Sequence, residues 1–346
     1  MLTEITTIIP TRNRSEFLKK CIFSILGQSE NFKNKIIVCD NASDDNTSEL
    51  LKKLQSEYSN IKYYKHDKNI GLYQNFSFGI SKVKTKYFNL ISDDDQLTKN
   101  YLKECLKIFE ENRKVDIVIG DTLVVNKNKY VLAGPFRKFS NGFMNNKEAT
   151  IKMSQNLIPR TWTGMVFKKN INYDYKINPQ YGPMADGLWL IDLISKHNVY
   201  CFNKIGGILF AHENSTSQQI KIIDKNQIDG FNLFKKNFES NTCFNHNEKK
   251  IIYQGLKPDV DNIISKQFIS CILKNDQNGI AKILFFLKEY NFNSLFLKYS
   301  SLNNLFKIFF FLIPLCRMIN LIRKRYQNFF PFQKSKKLKF ILKDLL

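Results

Sequence analysis

An α/β fold with a mostly parallel sheet is predicted, because short apolar strands alternate with amphipathic helices over the first 120 residues. Each strand is followed by a helical pattern, as in parallel sheets. In such sheets, ligands bind at the carboxyl ends of the strands. The predicted strands are Ile5 to Ile9, Lys35 to Cys39, Ile61 to Tyr64, Tyr87 to Ile91 and Asp116 to Ile119.

The predicted helices between these strands carry apolar residues at helical spacing. The first has Ser15 as a candidate N-terminal cap. The second carries Leu50, Leu51 and Leu54 on one side. The predicted ranges are Ser15 to Gln28, Thr47 to Gln55, a helix after Gly71, and Lys99 to Glu111.

The pattern changes along the rest of the chain. Residues 121–218 combine shorter strands, a loop-rich stretch from Gly134 to Asn146 and a helix starting near Asp186. From about residue 219 the pattern is mainly helical, with Lys-rich faces beside Leu, Phe and Ile stripes. We therefore predict an α/β domain over 1–218 and a helical, basic region over 219–346.

The net charge of +22 is concentrated near the C-terminus. After residue 290, eleven Lys and Arg residues face a single acid, Asp344. This asymmetry predicts an anionic partner, either membrane lipid, nucleic acid or a phosphorylated substrate. The seven scattered cysteines form no CxxC pair, which favours a reducing compartment, and no secretory signal is expected at the N-terminus.

The most apolar stretch, Leu302 to Ile322, is interrupted by Lys307, Pro314 and Arg317. A bilayer span needs roughly 20 apolar residues. An in-plane amphipathic helix followed by a basic cluster is one interpretation, and a buried helical hairpin with a solvated basic end is the other.

Two acidic segments follow predicted strands. Asp40 ends the second strand, where its carboxylate would face the ligand edge, although the polar residues after it also suit a turn and a helix cap. Asp93, Asp94 and Asp95 follow the fourth strand. Adjacent carboxylates repel one another, so a divalent Mg²⁺ or Mn²⁺ would stabilise them; a solvated acidic loop is the alternative.

Two further side chains are candidates for chemistry. Asp186 lies at the start of an apolar helix, as either a catalytic carboxylate or a simple cap. His212 ends an apolar strand before a polar loop, and it could supply a metal-ligating nitrogen. The sequence contains no GxGxxG after the first strand, no P-loop, no HExxH and no GxSxG.

Taken in order, four segments resemble glycosyltransferase family 2, which has the GT-A fold. They are Thr7 to Arg14, Cys39 to Thr47, Asn69 to Gly71 and Ser92 to Asp95. The order and spacing fit over roughly residues 3–215. With its basic helical extension, the chain also resembles O-antigen and surface-polysaccharide sugar transferases.

This resemblance implies roles for individual residues. The nucleotide would be bordered by Pro10, Thr11, Arg12, Asp40, Asn69, Gly71 and Asp93. The acidic cluster resembles the family's DxD motif with Ser92 at the usual first Asp, so Asp94 is the first choice of metal ligand, joined by Asp95 and His212. Asp186 matches the catalytic base, although Ala185 replaces the acid that often precedes it.

The resemblance implies an inverting transfer from a UDP- or dTDP-sugar to a hydroxyl of a glycan or lipid-linked glycan. With the basic C-terminal region, it predicts a cytoplasmic enzyme on the inner face of the cell membrane. A metal-dependent nucleotidyltransferase is an alternative, but the turn after the first strand lacks its usual glycines. A nucleic-acid-binding protein is another, but no such motif is present, and nucleic acid is not expected as a partner.

Overall fold

The computed structural model describes residues 4–28, 32–126, 131–134, 141–169, 175–212, 225–258, 276 and 278. The apolar stretch Leu302 to Ile322 and the basic residues around it lie outside the described residues, as does most of the predicted second region. No helix in the described ranges is long and apolar enough to cross a bilayer.

Ten described strands form one sheet. Their ranges are β1 (Glu4–Thr11), β2 (Lys33–Asp40), β3 (Ile61–Lys65), β4 (Tyr87–Leu90), β5 (Gln96–Leu97), β6 (Ile117–Asn126), β7 (Val131–Ala133), β8 (Gly142–Met144), β9 (Met165–Lys168) and β10 (Val199–Ala211). The strand order is β3-β2-β1-β4-β9-β6-β10-β5, with β7 beside β6 and β8 beside β10.

The predicted α/β fold is confirmed, and its parallel part is β1 to β4. There β1 pairs in parallel with both β2 and β4, and β2 pairs in parallel with β3. The second part of the sheet is mixed. β9 runs antiparallel to β4 and β6, while β10 is parallel to β6. The sequence did not predict this reversal at β9.

Helices cover both faces of the sheet. Their ranges are α1 (Ser15–Leu26), α2 (Thr47–Glu57), α3 (Leu72–Ser81), α4 (Tyr101–Glu111), α5 (Asn146–Ser154), α6 (Ala185–Ile194) and a later helix at Lys225–Phe238. Residues 246–258 are also helical.

The side chains of β1 show how the two faces differ. Ile5 and Ile9 pack in one buried cluster with Leu18 of α1, whereas Ile8 packs in the other with Phe76 of α3. This is the two-residue period of a strand that is covered on both sides. The sheet therefore forms the middle layer between two layers of helices.

The described helices after residue 219 share a core with the α/β domain. Phe234, Phe238 and Ile252 are buried in the same cluster as Trp189 of α6. The predicted boundary at residue 218/219 therefore does not separate two cores among the described residues. A separate unit beyond residue 258 stays a prediction.

Two local features lie next to the site, and the second of them differs from the prediction. Trp162–Gly164 is a turn of 3₁₀ helix, and the strand of this region starts at Met165. The α1 helix has Arg14 at its N-cap position, while the backbone N–H of Ser15 donates to Asp45. Asp45, in a neighbouring loop, therefore accepts a hydrogen bond from a backbone N–H at the helix end that Ser15 was expected to cap.

Candidate active site

Strand register brings three loops to one edge of the sheet. Thr11 is level with Asp40 across β1 and β2, and Ile8 is level with Leu90 across β1 and β4. Thr11 lies three residues after Ile8, and Asp93 lies three residues after Leu90. These two side chains therefore meet at the carboxyl ends of β1 and β4. The hydroxyl of Thr11 indeed donates to Asp93 Oδ2 at 2.7 Å.

An arginine joins this acidic loop. Arg14 Nη1 lies 3.1 Å from Asp93 Oδ1 and 3.0 Å from Asp94 Oδ2. The side chain of Arg14 is 20% exposed, and those of Asp93 and Asp94 are 6% and 11% exposed. The repulsion expected between adjacent carboxylates is therefore relieved in part by a cation of the protein itself.

Burial shapes the electrostatics of the loop. Burial raises the pKa of Asp93 to about 6, with the positive charge of Arg14 acting in the opposite direction and the charge of Asp94 adding to the rise. The pKa of Asp95 is raised well above its ordinary value by burial and by the neighbouring Asp94 charge. Burial thus opposes ionisation of Asp93 and Asp95, and a further cation beside the loop would favour their charged forms.

His212 reaches the acidic loop from the end of β10. Its Nε2 atom lies 2.9 Å from Asp94 Oδ2. The ring stacks on Phe17 of α1, with ring centroids 4.5 Å apart and an interplanar angle of 14°. Both side chains of the His212–Asp94 pair are 11% exposed. The structure therefore brings together two of the three residues that were expected to ligate a metal, Asp94 and His212.

Asp95, the third predicted metal ligand, points elsewhere. Its Oδ2 accepts a hydrogen bond from Thr163 Oγ1 at 2.6 Å, and its Oδ1 accepts from the backbone N–H of Phe210 at 3.4 Å. Thr163 is fully buried, and Phe210 is a half-buried residue of β10. The carboxylate of Asp95 therefore ties the loop to β10 and to the Trp162–Gly164 turn, and its role as a metal ligand stays a prediction.

Asp40 is buried inside its own loop. Its Oδ1 accepts from the N–H of Ser43 at 2.8 Å, and its Oδ2 accepts from the hydroxyl of Tyr63 at 2.8 Å. The side chain has no exposed surface. Asp40 therefore shapes the loop after β2, and its contact with a nucleotide base stays a prediction.

Asn69 and Gly71 lie next to this loop. Asn41 Nδ2 donates to Asn69 Oδ1 at 2.7 Å, and the N–H of Gly71 donates to the same oxygen at 3.0 Å. Gly71 has a φ of 90°, which a side chain would strain, and it is the N-cap residue of α3. Asn69 and Gly71 thus lie beside the loop after β2, and their place at the border of a nucleotide stays a prediction.

Arg12 and Arg14, both in the turn after β1, differ in their surroundings. Arg12 is exposed, and Pro10 is buried within β1. Arg14, which the sequence reasoning passed over, makes the contacts with the acidic loop. The signal for this contact is the position of Arg14 in the turn after β1, because that turn faces the loop after β4 once the two strands pair in parallel.

Asp186 lies in the first turn of α6, near two residues that sequence reasoning missed. Burial raises the pKa of its carboxyl, while the N–H of Gly187 and the charge of Arg160 lower it. Tyr73 of α3 also lies close enough for the Asp186 charge to raise the pKa of its hydroxyl, after burial. That hydroxyl donates to the carbonyl of Gly182 at 3.4 Å.

Trp162 connects the Asp186 region with the acidic loop. Its Nε1 donates to Ser92 Oγ at 3.3 Å, and its ring packs on Phe76 with centroids 4.2 Å apart. Phe76 and Tyr73 both lie on α3, so one helix contacts Trp162 and the segment leading to Asp186. A separate cavity of about 740 Å³ lies between α3 and residues 175–179 and is lined by none of the predicted site residues.

Solved structures share this architecture. The chain is similar to S. aureus TarS in complex with UDP-GlcNAc, with a TM-score of 0.61 and 14% identity over 78% of this chain and 75% of that one. A second TarS structure, in complex with UDP, gives a TM-score of 0.58 over 73% of this chain and 70% of that one, at 14% identity. The fold is that of the GT-A glycosyltransferases.

Sequence comparison then gives the family. Residues 6–175 match Glycosyl transferase family 2, and the chain therefore contains a domain of that family. This match favours the glycosyltransferase interpretation over a nucleotidyltransferase or a nucleic-acid-binding protein.

Relatives from several organisms agree with this family. An uncharacterized glycosyltransferase of Mycoplasma genitalium is 31% identical, over 38% of this chain and 44% of the relative. A Campylobacter jejuni GalNAc(5)-diNAcBac-PP-undecaprenol beta-1,3-glucosyltransferase is 26% identical, over 58% of this chain and 62% of the relative. The matched part thus spans about half to three fifths of these relatives.

Proposed function

We propose that the chain is a glycosyltransferase that moves a sugar from a nucleotide diphosphate to a hydroxyl of a glycan acceptor, with inversion at the anomeric carbon. The observation that carries this proposal is the meeting of Thr11, Arg14, Asp93, Asp94 and His212 at the carboxyl edge of the sheet. The family 2 domain over residues 6–175 and the fold shared with TarS support it.

The donor proposed is a UDP-sugar, with a dTDP-sugar as the second choice. TarS was solved with UDP and with UDP-GlcNAc. The loops after β1, β2 and β3 would hold the nucleotide, because they lie side by side at the ligand edge of the parallel strands.

The residues present fit a small divalent cation, Mg²⁺ or Mn²⁺. Asp94 Oδ2 and His212 Nε2 are 2.9 Å apart and offer one oxygen and one nitrogen ligand. No group of three or more His, Cys, Asp or Glu in the described part of the chain is arranged to hold a metal ion. The diphosphate of the donor would therefore complete the coordination. A bound cation would offset the charge that develops on the departing diphosphate.

Asp186 is proposed as the general base. Its carboxylate would take the proton of the acceptor hydroxyl as that oxygen attacks the anomeric carbon of the donor. A carboxyl whose pKa is raised by burial is a better base than one in water. A single displacement of this kind forms no covalent intermediate with the protein, and it inverts the anomeric carbon.

The test is sugar transfer by the purified full chain. A panel of nucleotide sugars with a radiolabelled sugar is offered with Mn²⁺ and simple glycan acceptors. Transfer or slow hydrolysis of one donor by the wild type, and neither by Asp186→Asn, is the expected result. Equal activity of the Asp186→Asn variant would remove Asp186 from the mechanism. Loss of donor binding in that variant would show instead that the substitution disturbs the fold.

We also propose that the acceptor is lipid-linked or part of a surface polysaccharide, and that the enzyme works at the inner face of the cell membrane. The Campylobacter relative is named for an undecaprenol-linked substrate. The basic cluster Arg323, Lys324 and Arg325 would then contact anionic lipid.

This second proposal is tested by flotation of the full chain with vesicles containing anionic lipid. Changing Arg323, Lys324 and Arg325 to Gln should reduce recovery with the vesicles. Changing the exposed Lys52, Lys53 and Lys62 to Gln removes the same charge from the α/β domain and serves as the control. Equal recovery of both variants would refute a specific role for the C-terminal cluster.

A further inference from the structure

Arg14 and the proposed metal ligand His212 contact the same carboxylate oxygen, Asp94 Oδ2. Its Nη1 atom lies 3.0 Å from Asp94 Oδ2, and His212 Nε2 lies 2.9 Å from that oxygen. Nη1 also lies 3.1 Å from Asp93 Oδ1. A guanidinium therefore bridges two carboxylates at the place where the metal is expected.

A divalent cation and this guanidinium cannot share Asp94 without strong repulsion. Arginine stays protonated at every working pH, so it cannot yield by losing its proton. The site has little exposed surface, and repulsion between like charges is poorly screened there. Metal binding to Asp94 and His212 therefore requires Arg14 to leave Asp94.

We propose that Arg14 is a resident counter-cation that the divalent metal displaces from Asp94, and that the displaced guanidinium then binds the diphosphate of the donor. This inference rests on the proposed metal site and adds a coupling between metal and nucleotide. In the free protein, Arg14 partly neutralises the charge of Asp93 and Asp94. The loaded protein uses the same arginine on the substrate.

The local structure suits this exchange. Arg14 lies at the start of α1, and Phe17 in the first turn of that helix stacks on His212. The packing of Phe17 thus holds α1 against the proposed metal ligand His212 while the side chain of Arg14 changes partner. Planar guanidinium groups bind phosphate through paired hydrogen bonds, so a diphosphate is a suitable new partner.

The first test measures metal and nucleotide binding separately in the full chain. Arg14→Gln is compared with the wild type and with Lys19→Gln, which removes one positive charge from an exposed position of the same helix. Mn²⁺ binding is measured by electron paramagnetic resonance without nucleotide, and UDP binding by calorimetry at saturating Mn²⁺. Thermal unfolding confirms that each variant is folded.

In Arg14→Gln we expect Mn²⁺ affinity to rise by at least about fivefold and UDP affinity to fall by at least about fivefold, while Lys19→Gln matches the wild type. Equal Mn²⁺ affinity in the wild type and in Arg14→Gln would overturn the displacement of Arg14 without contradicting the metal site. Absence of Mn²⁺ binding in every protein, both without and with UDP, would overturn the proposed metal site itself. Unchanged UDP affinity in Arg14→Gln would overturn the diphosphate contact.

A second test uses the wild type alone and does not depend on a variant folding. The rate at which phenylglyoxal modifies Arg14 is followed by peptide mass spectrometry. Mn²⁺ should raise the rate, because Arg14 leaves Asp94, and UDP added with Mn²⁺ should lower it again. A rate that Mn²⁺ does not change would contradict the exchange.

Discussion

Asp95 offers a sharp test, because the structure gives it a different task from its neighbour Asp94. Asp95 accepts hydrogen bonds from Thr163 Oγ1 and from the N–H of Phe210. Substitution by Ala removes both acceptors. A buried donor left without a partner costs about 1–3 kcal/mol, so Asp95→Ala should lower the free energy of unfolding by roughly 2–5 kcal/mol.

Asp95→Asn should be far milder. The amide oxygen can still accept from Thr163, and burial already raises the pKa of Asp95, so the charge is not what stabilises the site. We expect a loss below about 1.5 kcal/mol, the net worth of an ordinary hydrogen bond. Asp95→Asn should also keep its Mn²⁺ affinity, whereas Asp94→Asn should lose it.

The assay is thermal unfolding of the full chain together with a Mn²⁺ titration. A domain of this size shifts its midpoint by about 2–4 °C per kcal/mol, so Asp95→Ala should unfold roughly 4–20 °C below the wild type. Thr163→Val removes the hydroxyl that donates to Asp95. In a Thr163→Val background, Asp95→Ala should therefore lower the free energy of unfolding by about 0.5–3 kcal/mol less than it does in the wild type. An unchanged midpoint in Asp95→Ala combined with lost Mn²⁺ binding would refute this reasoning.

Three further predictions concern ionisable groups. Asp186→Asn should lower kcat by about 10²-fold or more through loss of the base, with UDP affinity nearly unchanged, as measured by steady-state kinetics and calorimetry. The acid limb of the kcat–pH profile should move to higher pH in Arg160→Met, because the Arg160 charge lowers the pKa of Asp186; an unmoved limb would exclude this coupling. Although burial opposes it, hydrogen bonds from His197 and from the Asn198 N–H lower the pKa of Asp116. Asp116 therefore stabilises the fold above its ordinary pKa and loses this effect as pH falls through the lowered value, so Asp116→Asn should show a smaller drop in midpoint on acidification than the wild type.

Apart from the two-residue strand β5, the elements up to β6 could be predicted from sequence because local pattern and tertiary structure agree there. Each strand is a short apolar run, and each helix has an apolar stripe that packs on the sheet. The mixed half could not be predicted in the same way. The direction of β9 depends on the Trp162–Gly164 turn, whose conformation is fixed by distant contacts such as Trp162 with Ser92.

The site residues show the same division. Asp94 and His212 are 118 positions apart in sequence, yet each was identified because it follows an apolar strand. Asp95 looked equivalent to Asp94, and only the side-chain directions distinguish an inward carboxylate from one facing the site. Arg14 gained its role from the register of β1 and β4, which local pattern does not contain.

The central claim is that Asp94 and His212 hold a divalent cation that binds the diphosphate of the donor. Calorimetric titration of UDP into the full chain, with Mn²⁺ and with chelator, tests it most directly. The account predicts binding that requires Mn²⁺ in the wild type and is lost in Asp94→Asn. Equal UDP affinity with and without Mn²⁺, or in Asp94→Asn and the wild type, would contradict it.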